Sequence, residues 1–322
     1  MKQSHAALAQ LASNTLFRPA SEAASRVCEE IRSRHGDALV AVLFYGSCLR
    51  GESSEGVLDF YALVDDYVRA YDARWPAWLN AAFPPSVFYL ECDAGSQRLR
   101  AKVAVISVRD FLRGVGARSV RSGIWARFCQ PSVAVWVRDA AAREALVAAV
   151  VRAALTAVER TLPQLPDARG MQRFDATSFW QASFRETYAA ELRAESDTTI
   201  QNLYHTAPEY YARLLEAALE SLAGERRIAL RRDGALWIVE HPLRRLRRAR
   251  TIARLRRPAA KLLALIQLLK SACTFGDWLP YALWKLERHT GTRLVLTERQ
   301  RRHPWLFGWP LILRVLRRGE LR

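Results

Sequence analysis

An uninterrupted apolar run at residues 38–45, ended by Gly46, places the strongest constraint on the fold of this chain. Valine, leucine and phenylalanine dominate the run, as is typical of a buried strand. A second strand is predicted at residues 57–64, after a polar, turn-rich stretch. Further predicted elements are strands at 87–91, 101–107 and 131–137 and helices at 21–34, 66–80 and 140–161. Together they predict an α/β (α+β) domain with a mixed sheet.

A stretch rich in proline and glycine, residues 162–173, is the predicted linker. It divides the chain into a first domain at residues 1–162 and a second at residues 174–322. The second domain is predicted to be mainly helical and basic. Its predicted elements are helices at 179–193 and 208–223, a hairpin at 228–239 turning at Asp233-Gly234, and an Arg-rich helix from residue 243 that breaks at Pro258.

The positive charge of the chain is concentrated in its last third. The formal net charge is +17, and residues 225–322 contain 24 Lys and Arg against 7 Asp and Glu. Such asymmetry indicates a polyanionic partner, either nucleic acid or the anionic face of a membrane. A dense run of arginines is followed by leucines at 262–269 and by Trp278, Trp284, Trp305 and Trp309. This order favours a segment that lies among anionic lipid head groups.

Two other interpretations of this region stay open. The arginines could follow the phosphates of RNA, although the aromatic residues cluster with leucines and no nucleic-acid-binding motif is present. Residues 262–269 could equally be part of a core helix. The membrane interpretation leads, and nucleic acid is the disfavoured partner.

Several classes of protein are excluded by simple patterns. No apolar run reaches the roughly 18 residues that a membrane-spanning helix needs, and residues 1–16 are interrupted by polar side chains. Five cysteines without a C-x-x-C pair argue against a disulfide framework or structural zinc. We therefore expect a cytoplasmic protein that binds the inner face of a membrane peripherally.

The chemistry is predicted to lie where the first strand ends in Gly46-Ser47 and the second strand presents Asp59. A glycine lets the backbone approach a phosphate closely, and the serine hydroxyl and following N–H groups can hold its oxygens. A carboxylate on the adjacent strand can reach the Mg²⁺ that bridges a triphosphate. The pattern indicates a site for a Mg-nucleoside triphosphate, although a Gly-Ser pair alone is usually only a turn.

Three segments resemble one family of enzymes. They are Phe44-Tyr45-Gly46-Ser47, Leu-Asp-Phe-Tyr-Ala-Leu-Val-Asp-Asp at residues 58–66, and Ala-Lys-Val-Ala-Val-Ile-Ser at residues 101–107. They are similar to the mitochondrial translocator-assembly-and-maintenance family of CDP-diacylglycerol synthases and its bacterial relatives. Residues 122–137, with Arg127, are also similar, so the resemblance covers about the first half of the chain. It implies a nucleotidyltransferase fold and a peripheral membrane enzyme that makes CDP-diacylglycerol from CTP and phosphatidate.

The resemblance also implies roles for individual residues. Tyr45, Gly46 and Ser47 would contact the nucleotide, Asp59 would bind Mg²⁺, and Lys102 would face the phosphates and offset their charge. An ordinary solvated strand residue is the competing interpretation of Lys102.

One position departs from the usual pattern. Nucleotidyltransferases usually present two acids as D-x-D on the second strand, and here the second position is Tyr61. We expect the missing metal ligand to come from Glu91 or Asp93 at the end of the third strand. Arg185 is a candidate for binding the lipid phosphate, with a helical ion pair as its competing role.

The expected function is therefore phosphatidate cytidylyltransferase activity with Mg²⁺, CTP and phosphatidate at an anionic membrane surface. One alternative is a nucleotidyltransferase that acts on RNA or protein. A second is an inactive membrane or nucleic-acid adaptor, which the substitution at Tyr61 keeps open.

Overall fold

A computed structural model describes residues 5–51, 56–94, 97–189 and 197–274, and a five-stranded mixed sheet lies at the centre of the first half. Its strands are β1 (Leu39–Tyr45), β2 (Leu58–Val64), β3 (Ser86–Ala94), β4 (Gln97–Ser107) and β5 (Val133–Val137). The strand order is β3-β4-β2-β1-β5. β2 and β4 are parallel, and the other neighbours are antiparallel. All five predicted strands are present, which confirms the α+β class.

Helices cover both faces of this sheet. They are α1 (Ala6–Leu16), α2 (Glu22–His35), α3 (Tyr67–Ala70), α4 (Arg74–Ala82), α5 (Val108–Gly114), α6 (Gly123–Phe128) and α7 (Ala140–Thr161). One face of the sheet packs against α2, and the opposite face packs against α1, α5, α6 and α7. The helices predicted at 21–34 and 140–161 are confirmed.

The single helix predicted at residues 66–80 is wrong, because two helices occupy this stretch. Asp66 caps α3 and accepts hydrogen bonds from the backbone N–H of Val68 at 2.6 Å and of Arg69 at 3.4 Å. Tyr71 is then extended, and α4 begins at Arg74. The restart places Pro76 in the first turn of α4, where its missing N–H has no helical partner to lose.

The second half of the described chain is mainly helical with a small sheet. Its helices are α8 (Ala176–Ala189), α9 (Asp197–His205), α10 (Pro208–Gly224) and α11 (Leu243–Thr274). Its strands are β6 (Met171–Phe174), β7 (Ala229–Asp233) and β8 (Leu236–Glu240), in the order β6-β8-β7. The predicted hairpin is confirmed as β7 and β8. β6 begins inside the predicted linker.

The break predicted at Pro258 is wrong, because α11 continues through this residue. A proline inside a helix removes one hydrogen bond and costs about 3 kcal/mol. The helix is buried on both sides of the proline, at Leu246 and Ala260 and again at Gln267 and Lys270. We infer that packing along this line offsets the cost, since tertiary contacts supply most helix stability in proteins.

One continuous core joins the two halves of the described chain. Leu43 and Tyr61 from the sheet, Ala157 from α7 and the buried rings of Trp180 and Tyr211 belong to the same cluster. Trp180 Nε1 donates a hydrogen bond to the backbone oxygen of Tyr211 at 2.8 Å, which ties α8 to α10. The helical region therefore packs on the sheet face that α7 covers, and the domain division at residues 162–174 stays a prediction.

The predictions for the end of the chain lie outside the described residues. This applies to Trp278, Trp284, Trp305 and Trp309 and to the end of the helix predicted at 179–193. Among the helices that the structure describes, none combines the length and the apolar character needed to cross a bilayer.

Candidate active site

The chain turns sharply where β1 ends, and this turn brings its backbone against Asp59. Tyr45 pairs with Asp59 across β1 and β2, and Gly46 follows with a φ of +93°. A Cβ at Gly46 would lie 2.8 Å from Oδ2 of Asp59. Glycine is therefore required both by the backbone conformation and by the carboxylate beside it. Ser47 then begins a 3-10 turn over Cys48–Arg50.

Asp59 lies among positive charges. It is directly opposite Lys102 on the parallel pair β2 and β4, and Arg127 and Arg50 also act on it electrostatically. Burial raises the pKa of the Asp59 carboxyl above its usual value, and the three cations offset part of that rise. An ionised Asp59 is thus stabilised by its neighbours but incompletely hydrated.

Asp59, Lys102 and Tyr45 line a cleft of about 740 Å³, called the cleft below. Its charged lining residues are Asp59, Lys102, Asp110, Arg113, Arg121 and Arg127. Its apolar lining includes Pro84, Val87, Ile106, Ile124 and Leu263. Four cations against two carboxylates give the cleft a positive potential that favours anions. The cleft therefore suits a ligand with both an anionic part and an apolar part.

Tyr61 occupies the position where the D-x-D pattern has its second acid. Its ring is 4% exposed and packs against Tyr45 and Phe128, with centroid distances of 5.4 and 5.1 Å. The residue lines the cleft as part of an aromatic core. The second acid is therefore replaced by a packing residue.

Asp110 is the other carboxylate of the cleft lining, and it is already engaged. Its Oδ2 accepts hydrogen bonds from Tyr67 Oη and Ser107 Oγ, both at 2.9 Å. Arg113 donates to Oδ1 at 3.3 Å. These contacts hold Asp110 at the start of α5, so Asp59 is the better candidate for a ligand carboxylate.

Glu91 and Asp93 are not brought to Asp59. Glu91 lies 3.3 Å from Arg98 and 3.4 Å from Arg100, and Asp93 lies 3.5 Å from the same Arg98. β4 separates their strand from β2, and neither residue lines the cleft. Both carboxylates form ion pairs at the far end of the β3–β4 hairpin.

Arg185 and Ser47 also lie outside the cleft lining. Arg185 is exposed on α8, and its neighbour Glu186 forms a bidentate ion pair with Arg257 of α11 at 2.5 and 3.3 Å. Of the predicted site residues, the structure therefore gathers Tyr45, Gly46, Asp59 and Lys102.

The donor set bears on which metal complex the cleft can hold. In the described ranges, no three His, Cys, Asp or Glu side chains cluster as a metal site. Mg²⁺ commonly binds through one or two carboxylates, with waters and substrate phosphates completing its oxygen shell. Asp59 alone fits a Mg²⁺ that arrives with a nucleotide, because the phosphates would supply further oxygens. The cations beside Asp59 favour those same phosphates.

Two cations beside Asp59 were missed as site residues by the sequence analysis. Arg127 is held on α6 by donating to the backbone oxygen of Gly123 at 2.6 Å, and Arg50 donates to Oε1 of Gln130 at 3.4 Å. Arg127 lies in a stretch that the family resemblance had included. Arg50 gave no signal, since a single arginine in a turn has no periodic pattern.

Comparison with known proteins adds no assignment. No protein-family model matches the chain, and no curated protein matches it. The chemistry of the cleft therefore has to indicate the function: it pairs a carboxylate with several cations and extends into apolar walls.

Replacing Gly46 tests the contact between the turn and the carboxylate. Gly46→Ala combines an unfavourable φ with a Cβ 2.8 Å from Asp59 Oδ2, so we expect the free energy of unfolding to fall by about 1–3 kcal/mol. Gly51→Ala is the matched control, because Gly51 has a φ of +79° and nothing within 4 Å of an added Cβ. Urea denaturation should show the larger loss for Gly46→Ala, and equal losses would contradict the close contact.

Replacing Asp59 tests the cost of its burial. Folding raises the pKa of Asp59 above its ordinary 3.8, so the ionised carboxyl opposes folding at pH values above 3.8. We expect Asp59→Asn to have the higher free energy of unfolding at pH 7, with the difference shrinking as the pH falls towards 3.8. Asp37→Asn, at an exposed carboxylate, should change little. A less stable Asp59→Asn protein at pH 7 would show that attraction to the cations outweighs desolvation.

Proposed function

We propose that this chain is a nucleotidyltransferase that transfers the cytidylyl group of CTP to phosphatidate at a membrane surface. The observation that carries the proposal is the direct pairing of Asp59 with Lys102 in a cation-lined cleft. Nucleotidyl transfer needs a metal-binding carboxylate and positive charge close to the same phosphates. The resemblance of residues 44–47, 58–66 and 101–107 to CDP-diacylglycerol synthases supports the choice of CTP and phosphatidate.

In the proposed reaction, a phosphate oxygen of phosphatidate attacks the α-phosphorus of CTP. A new P–O bond forms while the bond from the α-phosphorus to the bridging oxygen breaks, and its electron pair leaves with pyrophosphate. Phosphatidate is already an anion, so no general base has to remove a proton. Lys102 and Arg127 would stabilise negative charge on the phosphates. Mg²⁺ held by Asp59 would add charge neutralisation at the transferring group.

The apolar side of the cleft supports a lipid as the acceptor. Trp75 and Trp78 are 59% and 68% exposed on α4, and Ala82 one turn further along the same helix face lines the cleft. On α11, Leu262 and Leu265 are exposed beside cleft-lining Leu263. Exposed apolar residues from two helices next to one opening are typical of a protein or membrane contact surface.

The exposed charges of α11 favour a membrane as that contact. Its first half exposes Arg244, Arg247, Arg248 and Arg254, and each basic residue near an anionic bilayer contributes about 1 kcal/mol of attraction. A lipid surface would meet the arginines and the exposed leucines of one helix together. We therefore place the mouth of the cleft at the bilayer surface.

A second function, an inactive adaptor, is favoured by one specific observation. Tyr61 stands in the position of the second acid, and the other carboxylate of the cleft lining, Asp110, is engaged by hydrogen bonds. A cleft with a single available carboxylate could bind a nucleotide or an anionic lipid without turnover. The transfer experiment described next separates binding from catalysis.

Transfer of labelled α-phosphate from each of the four nucleoside triphosphates to phosphatidate in mixed micelles tests the proposal. With Mg²⁺ present, we expect lipid-phase label from CTP alone. Asp59→Asn should lower the rate at least about 100-fold, as for other groups that stabilise developing charge. Lys102→Met should lower it for the same reason, and Asp37→Asn is the matched control for the loss of a carboxylate.

Two results would contradict this function. Lipid label that persists in Asp59→Asn would remove Asp59 from the reaction. No lipid label from any nucleotide, with CTP and Mg²⁺ still raising the melting temperature, would support the adaptor. Label that enters RNA or protein instead would support the remaining nucleotidyltransferase alternatives.

Replacing the two exposed tryptophans tests the membrane surface. The double variant Trp75→Ser, Trp78→Ser should bind vesicles containing phosphatidate at least about tenfold more weakly, because buried apolar area contributes to interfacial binding. Met171→Ser is a control at an exposed apolar residue of β6, remote from the cleft lining. Vesicle flotation measures both variants. Unchanged flotation of the double variant would show that α4 does not contact the bilayer.

A further inference from the structure

A second cavity of about 210 Å³ lies next to the cleft, and the proposed reaction does not use it. It is called the chamber below. Its walls come from residues 117–125, the end of α7, α8 and the middle of α11. Val120, Ser122 and Ala260 line both the chamber and the cleft. The two spaces are therefore neighbours that share one wall.

Two N–H donors of the chamber lining have no acceptor in the described protein. Trp125 is 2% exposed, and its Nε1 is buried without a hydrogen-bond partner. Nε of Arg160 is also buried and unpartnered, while Nη2 of the same side chain donates to the backbone oxygens of Ala117 and Ser119. Buried N–H groups nearly always have an acceptor. These two donors indicate that an oxygen-bearing group occupies the chamber.

The charges of the chamber indicate that this group is an anion. Arg160, Arg256 and Arg257 contribute to its lining. Glu186 is taken up by its ion pair with Arg257. Burial and the charge of Arg256 lower the pKa of Arg160 to about 10. Two guanidinium groups held near one another in a partly buried space are stabilised by a negative charge between them.

The remaining carboxylate of the lining does not cancel this charge. Glu159 forms an ion pair with Arg227, which is not part of the chamber lining. Each of the two glutamates is thus matched by its own arginine. Arg160 and Arg256 remain as the excess positive charge of the chamber.

We propose that the chamber is a phosphate-binding site, in which Trp125 Nε1–H and Arg160 Nε–H donate to phosphate oxygens and Arg256 supplies further positive charge. Its volume of about 210 Å³ compares with about 30 Å³ for one water in the liquid, so a phosphate or a pyrophosphate fits. The phosphate can come from solution or from the head group of an anionic lipid. The site is independent of the transfer reaction, because none of its donors lines the cleft.

The indole N–H signal of Trp125 gives a direct test in the full chain. Protein labelled with ¹⁵N-tryptophan is titrated with inorganic phosphate at constant ionic strength, with sodium chloride as the balancing salt. Trp125→Phe assigns the signal, because it removes the N–H and keeps an aromatic ring. We expect a saturable shift of this signal with phosphate and none with chloride.

Two arginines on α11 provide a matched pair of variants. Arg256→Gln removes a cation of the chamber, and Arg254→Gln removes an exposed one two residues away that does not line it. We expect Arg256→Gln to weaken the phosphate-dependent shift about fivefold or more, as for loss of a charge-assisted contact. Arg254→Gln should leave the shift unchanged. Lys102→Met should also leave it unchanged, which separates the chamber from phosphate bound in the cleft.

A parallel titration with short-chain phosphatidate identifies the source of the phosphate. A shift with inorganic phosphate supports a site for free phosphate, and a shift with the lipid alone supports a head-group site. The proposal is overturned if neither ligand gives a saturable shift, which is the result for a chamber filled by water. It is also overturned if Arg256→Gln and Arg254→Gln titrate alike.

Discussion

The contact of the Asp59 carboxylate with the Gly46 turn is the constraint on which the site depends. Any side chain at position 46 would meet Oδ2 at 2.8 Å, so the carboxylate and the end of β1 occupy neighbouring space only because a glycine is present. The burial that follows raises the pKa of Asp59, and the charge is tolerated because Lys102 faces it from the parallel strand β4. Strand order and electrostatics thus place the reactive groups together.

Helix α11 links this site to the surface of the molecule. Nε2 of Gln267 donates to the backbone oxygen of Pro85 at 2.8 Å, and Nζ of Lys270 donates to the same oxygen at 2.9 Å. These bonds fasten the helix beside the cleft, which Leu263 lines. Burial, with a smaller effect of Arg121, lowers the pKa of Lys270 to about 8. One helix therefore closes the cleft with its buried side and presents arginines and leucines on its exposed side.

Much of the sheet could be predicted from the sequence, because each buried strand is a short apolar run. Asp59 and Lys102 followed from their places on two such strands. The parallel pairing of β2 with β4 sets them directly opposite each other, and no local pattern encodes that pairing. Glu91 was expected near the metal on the basis of strand ends alone, whereas the intervening β4 and two arginines hold it elsewhere. Pro258 misled because packing, rather than propensity, maintains α11.

The replacement of the second acid by Tyr61 changes the charge balance of the cleft in a consistent direction. A second carboxylate would repel a triphosphate unless a second metal ion bound with it. Here that position belongs to an aromatic cluster with Tyr45, Phe111 and Phe128, and Arg127 and Arg50 act on the remaining carboxylate. Fixed guanidinium groups can stabilise phosphate charge that a second metal would otherwise stabilise. The loss of the acid and the gain of the arginines therefore describe one arrangement, which needs fewer metal ligands.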